Sequence, residues 1–512
     1  MSADGTVYDL FVIGGGVNGA GIARDASGRG LSVVLCEKDD LAQGTSSRSG
    51  KLVHGGLRYL EYYEFRLVRE ALIEREVLLN SASHIIWPMR FVLPHNPSDR
   101  PAWLVRLGLF LYDHLGGRKR LPGTRTLNLR TAPEGAFIKP QYTKGFEYSD
   151  CWVDDSRLVL LNALDAQNRG AQVYTRTACT SLRRENGLWE VEMTSRKGSN
   201  GVVTSEKTRI RAKAIVNTAG PWVNDIIGRV AGFNSARNVR LVKGSHIIVR
   251  KFWEGRQAYL MQNSDKRVIF VNPYENDLAL IGTTDIPYEG KPEDVKVDDT
   301  EIAYLLKAVN RYFKQQLTEA DIVHSFSGVR PLYDDNAENP SAVTRDYIFE
   351  VDDVNGQAPL LSVFGGKITT FRKLSEHALD KLKPFFPSMP GGWTANGFLP
   401  GGDIANADFE QFLADMKARY PWLPQDLCKH YARLYGTRAH DLIGAAQSVQ
   451  DLGAAFGPLL REREALFLKE TEWAMTADDI LNRRTKHALH MTDGERDAFT
   501  RWFETQESTD VI

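Results

Sequence analysis

YDLFVIGGGVNGAGIARDASGRGLSVVLCEK, Tyr8 to Lys38, decides the fold. An apolar run ending at Ile13 enters three glycines, a helix-compatible segment follows and stops at glycines, and a second apolar run closes on Glu37. This reads as strand, tight turn, helix, strand. Gly14, Gly16 and Gly19 then stand in the G-x-G-x-x-G spacing in the one context that gives the spacing meaning. Gly14 permits the turn, Gly16 lets backbone approach a pyrophosphate, and Gly19 lets helix and strand pack closely. The helix N-terminus offers unsatisfied N–H groups and partial positive charge to phosphates. Glu37 sits where an acid hydrogen-bonds a ribose hydroxyl, and an acid there disfavours a 2′-phosphate. The unit predicts dinucleotide binding, with NADP disfavoured.

Working outward, two more glycine turns follow apolar strands: Asn217 to Trp222, and Leu360 to Phe371, the second leading into a helix. Such turns distant from the first favour FAD over NAD. Backbone N–H groups at the second could face a flavin edge that gains negative charge on reduction. Helices are expected over residues 60–82, with Phe65, Val68, Leu72 and Leu79 on one face, over about 155–169, and over 299–317. Strands are expected in AQVYTRT, WEVEMTS, AKAIVN, HIIVR, RVIFV and LALIGTTD. A Pro- and Gly-rich stretch runs from Pro384 to Gly402, and helix signals dominate beyond it, with Thr476/Asp479 and Thr492/Glu495 as capping pairs.

Composition excludes several classes. There are 64 basic and 65 acidic side chains, which argues against a nucleic-acid binder. Cys36, Cys151, Cys179 and Cys428 form no C-x-x-C pair, so metal and dithiol chemistry lack support and reduced, buried thiols are expected. The N-terminus carries no basic segment before an apolar core, so no secretory signal is expected, and no run approaches the roughly 20 apolar residues of a membrane span. Residues 101–112, PAWLVRLGLFLY, hold only Arg106 as charge and are flanked by Arg100, Arg118, Lys119 and Arg120. This pattern fits a segment lying on a membrane surface, and it also fits an internal core helix.

Further motifs are longer. They are GTSSRSGKLVHGGLRYL (Gly44 to Leu60), GFEYSDCWVDDSRLV (Gly145 to Val159), KGSHI (Lys243 to Ile247), GTTD (Gly282 to Asp285), SGVRPL (Ser327 to Leu332), TRDY (Thr344 to Tyr347) and FGGKITTFRKL (Phe364 to Leu374). On these the chain resembles the FAD-dependent glycerol-3-phosphate dehydrogenases, nearest to the bacterial aerobic, respiratory members, over almost its whole length. Gly44 departs from the larger residue or alanine expected before Thr-Ser-Ser, and the insertion of related oxygen-using oxidases is not seen.

The resemblance implies an α/β fold. It combines a Rossmann-like βαβ FAD domain of the glutathione-reductase/amino-acid-oxidase type with an α+β substrate domain and an all-α C-terminal domain. The FAD domain is expected over 1–86, 147–238 and 326–385, a substrate- or membrane-facing segment over 87–146, the substrate sheet over 239–325, a linker over 386–402 and the helical domain over 403–512. The resemblance further implies oxidation of sn-glycerol 3-phosphate to dihydroxyacetone phosphate, ubiquinone or a similar quinone as acceptor, the inner membrane face as location, and a homodimer. The alternative is an oxygen-using oxidase of the amino-acid-oxidase fold.

FAD is expected on Gly14, Gly15, Gly16, Asn18, Gly19, Glu37, Thr45, Ser46, Ser47, Lys51, Leu52, Ala219, Gly220, Trp222, Gly366, Lys367, Ile368 and Thr369. A phosphate dianion calls for cations, and arginine suits it through forked donors. Arg58, Arg330 and Arg345 are the candidates, with Tyr59 and Thr284 adding hydrogen bonds. Lys367, after the Gly365-Gly366 turn, could bind substrate oxygen and favour reduced flavin. For the base, His54 has a suitable ordinary pKa and His246 is the second candidate, while Arg330 could stabilise an alkoxide.

Overall fold

The quoted stretch folds as read: strand β1 (Val7–Ile13), helix α1 (Val17–Gly28) and strand β2 (Val33–Cys36). The computed structural model describes residues 6–96, 100–117, 119–199, 202–232, 238–263, 265, 267–333 and 346–507. β1 is continuous apolar sequence because both its faces are covered, as in parallel sheets generally. It runs parallel to β2 and to Val202–Asn217, which in turn runs parallel to Gln357–Phe364. Strand Ile348–Val354 closes one edge and Gln172–Tyr174 the other. Gly21 leaves room for Phe371, whose ring lies 2.7 Å from where a Cβ would stand, so the helix Phe371–Leu382 packs closely on α1.

A second sheet holds Val239–Arg250, Leu278–Gly282, Val268–Tyr274, Ala258–Gln262, Ile86–Pro94 and Lys144–Val153, in that order. The strand Ile322–Tyr333 pairs with Val239–Arg250 along its outer side. Pro88 and Pro94 hide the strand Ile86–Pro94 from a sequence reading, since proline is rare inside ladders. It pairs antiparallel with Lys144–Val153 through Ile86↔Val153 to Pro94↔Gly145.

Two helical expectations need adjusting, and the segment with two readings is a helix. The helix expected over 60–82 is a short 3₁₀ segment, Leu57–Tyr62, followed by α2 (Phe65–Ser81). Val68, Leu72 and Leu79 are buried as expected, but Phe65, at the helix start, is 40% exposed. The segment around 101–112 forms α3 (Ala102–Leu115). The helix expected over 299–317 ends at Tyr312, because the Asn310 side chain captures the Leu317 N–H at 2.7 Å and turns the chain.

Beyond residue 408 the chain is helical, with its own core around Tyr431, Tyr435, Leu442, Leu468, Ile480 and Phe499. The Thr476/Asp479 and Thr492/Glu495 pairs form as capping contacts. All four cysteines are buried and free. His430, Glu464 and His487 cluster, but Glu464 already accepts from Tyr435 Oη and His430 Nε2, each at 2.7 Å, so the cluster is closed by its own bonds.

Buried ion pairs fasten this domain to the rest. Arg157, on α4 (Asp155–Asn168), meets Glu472; Arg484 meets Asp40; and Lys486 meets Asp154. Burial alone would raise the Glu472 pKa, but the Arg157 and Arg438 guanidiniums outweigh it and hold it down to about 2. A depressed folded pKa means stability that is present above the ordinary carboxylate range and lost as pH falls toward 2. Glu472→Gln leaves the fully buried Arg157 uncompensated. It is expected to cost about 3–5 kcal/mol at neutral pH. In thermal melts of the holoprotein, the gap between wild type and variant should narrow as pH falls below about 4.

Candidate active site

One cavity of about 920 Å³ lies between the two sheets. Its nucleotide end is built from the first glycine turn. Gly14, at φ 103°, donates its N–H to Cys36 O at 2.8 Å, and Gly15 N–H donates to Glu37 Oε2 at 2.7 Å. Gly16 caps α1 without a side-chain bond, so the first helical turn presents N–H groups to the cavity. Ser46 Oγ reaches the Val17 N–H at 3.0 Å, which brings the Thr45–Ser47 turn over the helix N-terminus. A Cβ on Gly19 would lie 1.9 Å from Gly14 O. These features fit a dinucleotide with its diphosphate at the helix start. Glu37 stays within the cavity wall, beside Lys38, whose Nζ lies 4.4 Å from the Trp222 ring.

The other end is where chemistry would occur. His54, Arg58, Tyr59, His246, Arg330 and Lys367 all line it, brought from four separate segments. The Gly55 N–H is held by Tyr112 Oη at 2.8 Å, and Tyr112 donates to Asp150, itself paired with Arg75 at 2.6 Å. α2 and α3 thereby fix the His54-Gly55-Gly56 turn. The His54 N–H donates to Thr369 Oγ1 at 3.1 Å, joining that turn to the Gly365-Gly366 turn. Lys367 Nζ sits 3.8 Å from the centroid of the Tyr59 ring. The Arg58 Nη2 contact to Tyr62 Oη is long, 3.5 Å, and Arg58 Nε is buried without a hydrogen-bond partner. Arg330 instead pairs through Nη1 with the Asp285 carboxylate and donates through Nη2 to Thr283 Oγ1 at 3.0 Å.

Several expected residues lie elsewhere. Thr284 does not face the cavity: it is buried, and its hydroxyl donates to Glu301 Oε1 at 2.6 Å. Thr283 and Asp285 face the cavity in its place. The GTTD motif carries the signal, but only the contact to Glu301 sorts its members. Lys51 turns from the cavity to Asp155 Oδ1 at 2.8 Å and to Ser47 O at 3.1 Å. Its role, like that of Ser47, is to brace the loop, while Gly15 and Gly19 act through turn and packing. Asn18, Thr45, Ser46, Leu52, Ala219, Gly220, Trp222, Gly366, Ile368 and Thr369 line the cavity. Arg345 lies outside the described residues.

His246 is a poor base. Its ring stacks on Phe326 at 4.9 Å, and burial, with Arg330 and Lys51 adding to it, pushes its pKa down to about 3. It therefore stays neutral across the physiological range. Phe270, not anticipated, packs edge-on to His54 at 6.1 Å and forms part of the apolar floor with Leu260 and Leu280.

Comparison with known proteins agrees with this architecture. The family model described as FAD dependent oxidoreductase matches residues 9–372, and that described as C-terminal domain of alpha-glycerophosphate oxidase matches 393–506. The D-erythritol 1-phosphate dehydrogenase of Brucella abortus (strain 2308) is 66% identical, over 98% of this chain and 99% of that protein. The aerobic glycerol-3-phosphate dehydrogenase of Escherichia coli (strain K12) is 51% identical, over 96% of this chain and 97% of its own. The FAD-complexed glycerol-3-phosphate dehydrogenase structure from Bacillus halodurans superposes with a TM-score of 0.72 at 26% identity, covering 98% of this chain and 94% of that one.

Proposed function

This chain belongs to the FAD-dependent oxidoreductases of the glycerol-3-phosphate dehydrogenase family, and from that premise we propose that it oxidises a small polyol phosphate, D-erythritol 1-phosphate before sn-glycerol 3-phosphate. Its cofactor is FAD. Both candidate substrates share one unit: a secondary alcohol beside a phosphorylated methylene. That unit needs a cation for the dianion and a polar group at the alcohol, and the cavity offers Arg58 and Lys367 for the first and the Arg330–Asp285 pair for the second. The single observation that ranks the two is identity: the erythritol-phosphate enzyme shares 66% of aligned residues and the glycerol-phosphate enzyme 51%. sn-Glycerol 3-phosphate, the expectation from the sequence motifs, stays as the second reading. Measured kcat/KM for the two esters decides: a value at least about tenfold higher for D-erythritol 1-phosphate, or roughly 1.4 kcal/mol, supports the ranking, and the reverse order refutes it.

When bound, FAD supplies the hydride acceptor. The chain's own groups anchor the phosphate, orient the carbinol carbon, and shield it from water with Phe270, Leu260 and Leu280. An oxygen-using amino-acid oxidase would need a carboxylate anchor, and the same cations do not distinguish it. Polyol phosphates reduce the flavin on the present reading, whereas glycine and sarcosine do not.

The reading extends to a quinone acceptor reached at the inner face of the cell membrane, with a homodimer as the form implied by family likeness. No described helix is long and apolar enough to cross a membrane. α3 supports surface contact: Trp103, Leu104, Leu107 and Phe110 are exposed, and Tyr62, Tyr63 and Phe65 join them. Leu104 and Leu107 also line the cavity mouth beside Arg100. Of the flanking cations, Arg118 lies outside the described residues. Leu109 faces inward and is fully buried, and Leu107 lines the cavity, so charge belongs at Trp103 and Phe110. The double change Trp103→Glu, Phe110→Glu is expected to cut co-sedimentation with anionic vesicles at least tenfold, since each charge costs about 1 kcal/mol or more at a lipid surface. Flavin reduction by substrate should be unchanged. Undiminished sedimentation removes α3 as the contact.

A further inference from the structure

We infer that Asp285 is a catalytic residue that accepts the proton of the substrate's reacting hydroxyl, with Arg330 holding its carboxylate in place. The assignment rests on the polyol-phosphate reading above and goes beyond it.

Asp285 and Arg330 both face the cavity, and Arg330 Nη1 contacts one carboxylate oxygen of Asp285. A phosphate dianion brought against Arg330 would also meet that carboxylate, so the pair is a weaker phosphate anchor than Arg58, whose Nε is buried without a hydrogen-bond partner. A neutral alcohol suits the pair better: it donates to the carboxylate and accepts from the guanidinium. The loop is fixed from behind. Glu301, 1% exposed, accepts from Thr284 Oγ1 at 2.6 Å and Ser245 Oγ at 2.8 Å and pairs with Lys243 at 2.7 Å. Thr283 Oγ1 adds a contact to Arg330 Nη2 at 3.0 Å. Gly244 makes the space, since a Cβ there would stand 2.7 Å from Arg330 Nη2.

The chemistry asks little of the base. The C–H bond breaks with its electron pair passing to the family's two-electron oxidant. The O–H bond breaks with its proton passing to Asp285, and the freed oxygen pair completes the carbonyl. As the carbon loses hydride the hydroxyl becomes strongly acidic, so even an ion-paired carboxylate is basic enough. His246, stacked on Phe326 and pushed down to about 3 by burial, is a weak base.

The test uses the holoenzyme with Asp285→Ala and Asp285→Asn. Anaerobic flavin reduction by D-erythritol 1-phosphate and sn-glycerol 3-phosphate is expected to slow by about 10²–10⁴-fold in both variants, the usual span for removing a general base. Calorimetric binding of 3-hydroxypropyl phosphate, which lacks the reacting hydroxyl, should stay within about threefold, because the phosphate anchor is untouched. Added formate should restore reduction in Asp285→Ala and not in the isosteric Asp285→Asn. Reduction within about tenfold of wild type overturns the assignment. So does a loss confined to binding with no formate rescue, which would leave Asp285 as a positioning residue for Arg330. If Asp285→Ala fails to retain flavin, Asp285→Asn carries the test through its reduction rate and binding. A wild-type flavin that neither ester reduces overturns the functional reading itself, and this assignment with it.

Discussion

Gly19→Ala is expected to purify without flavin. The added Cβ would stand 1.9 Å from the carbonyl oxygen of Gly14, a backbone atom that cannot rotate away, and 2.6 Å from Thr218 Oγ1. Relief requires α1 to move off β1, which pulls the open N–H groups of its first turn away from the diphosphate. Overpacking costs about 1–3 kcal/mol, and a clash with backbone stands at the upper end, about 3 kcal/mol. That is roughly a hundredfold loss of FAD affinity if it falls on the bound state. Flavin-to-protein absorbance of the purified variant, then FAD titration of the apoprotein, reads the loss. Gly494→Ala is the control, since a Cβ there meets nothing within 4 Å. Full flavin content in Gly19→Ala would mean that the glycine turn does not hold the diphosphate.

The second large effect belongs to Arg58. It projects from the Leu57–Tyr62 segment into the cavity, and its guanidinium makes a long hydrogen bond, 3.5 Å, to Tyr62 Oη. Charge-assisted hydrogen bonds are worth about 1.5–3 kcal/mol each. Losing a forked contact to a phosphate therefore predicts a rise of roughly a hundredfold or more in the substrate dissociation constant of Arg58→Ala. Arg58→Lys should recover only part, because a point charge cannot reproduce the fork. Flavin content should match wild type in both. A substrate constant that stays at the wild-type value would move the phosphate elsewhere in the cavity.

How far the sequence reaches depends on the range of the forces involved. The βαβ unit is local: apolar runs, three glycines and an acid specify it within thirty residues of chain, and the structure follows them. Arg58, Arg330 and Lys367 are legible in extended motifs and meet in one cavity. What failed was orientation. Thr284 and Thr283 are adjacent, and which one faces the site depends on Glu301, seventeen positions on, drawing the Thr284 hydroxyl inward. Lys51 carries a motif-like position, yet Asp155 claims its charge from 104 residues away. Leu109 and Phe110 are neighbours on one helix, and only packing of α3 decides that the first is buried and the second exposed. Substrate identity escapes the motifs for a different reason: the two esters share the phosphate and the reacting alcohol, and differ in a hydroxymethylene that these motifs do not read.

The most direct measurement is an anaerobic titration of the purified, FAD-loaded protein with D-erythritol 1-phosphate and, separately, with sn-glycerol 3-phosphate, following the yellow band of oxidised flavin. The account predicts that the band disappears with one equivalent of substrate oxidised per flavin, and that Arg58→Ala requires far more ester to reach the same end point. A band that persists at saturating concentrations of both esters would contradict it.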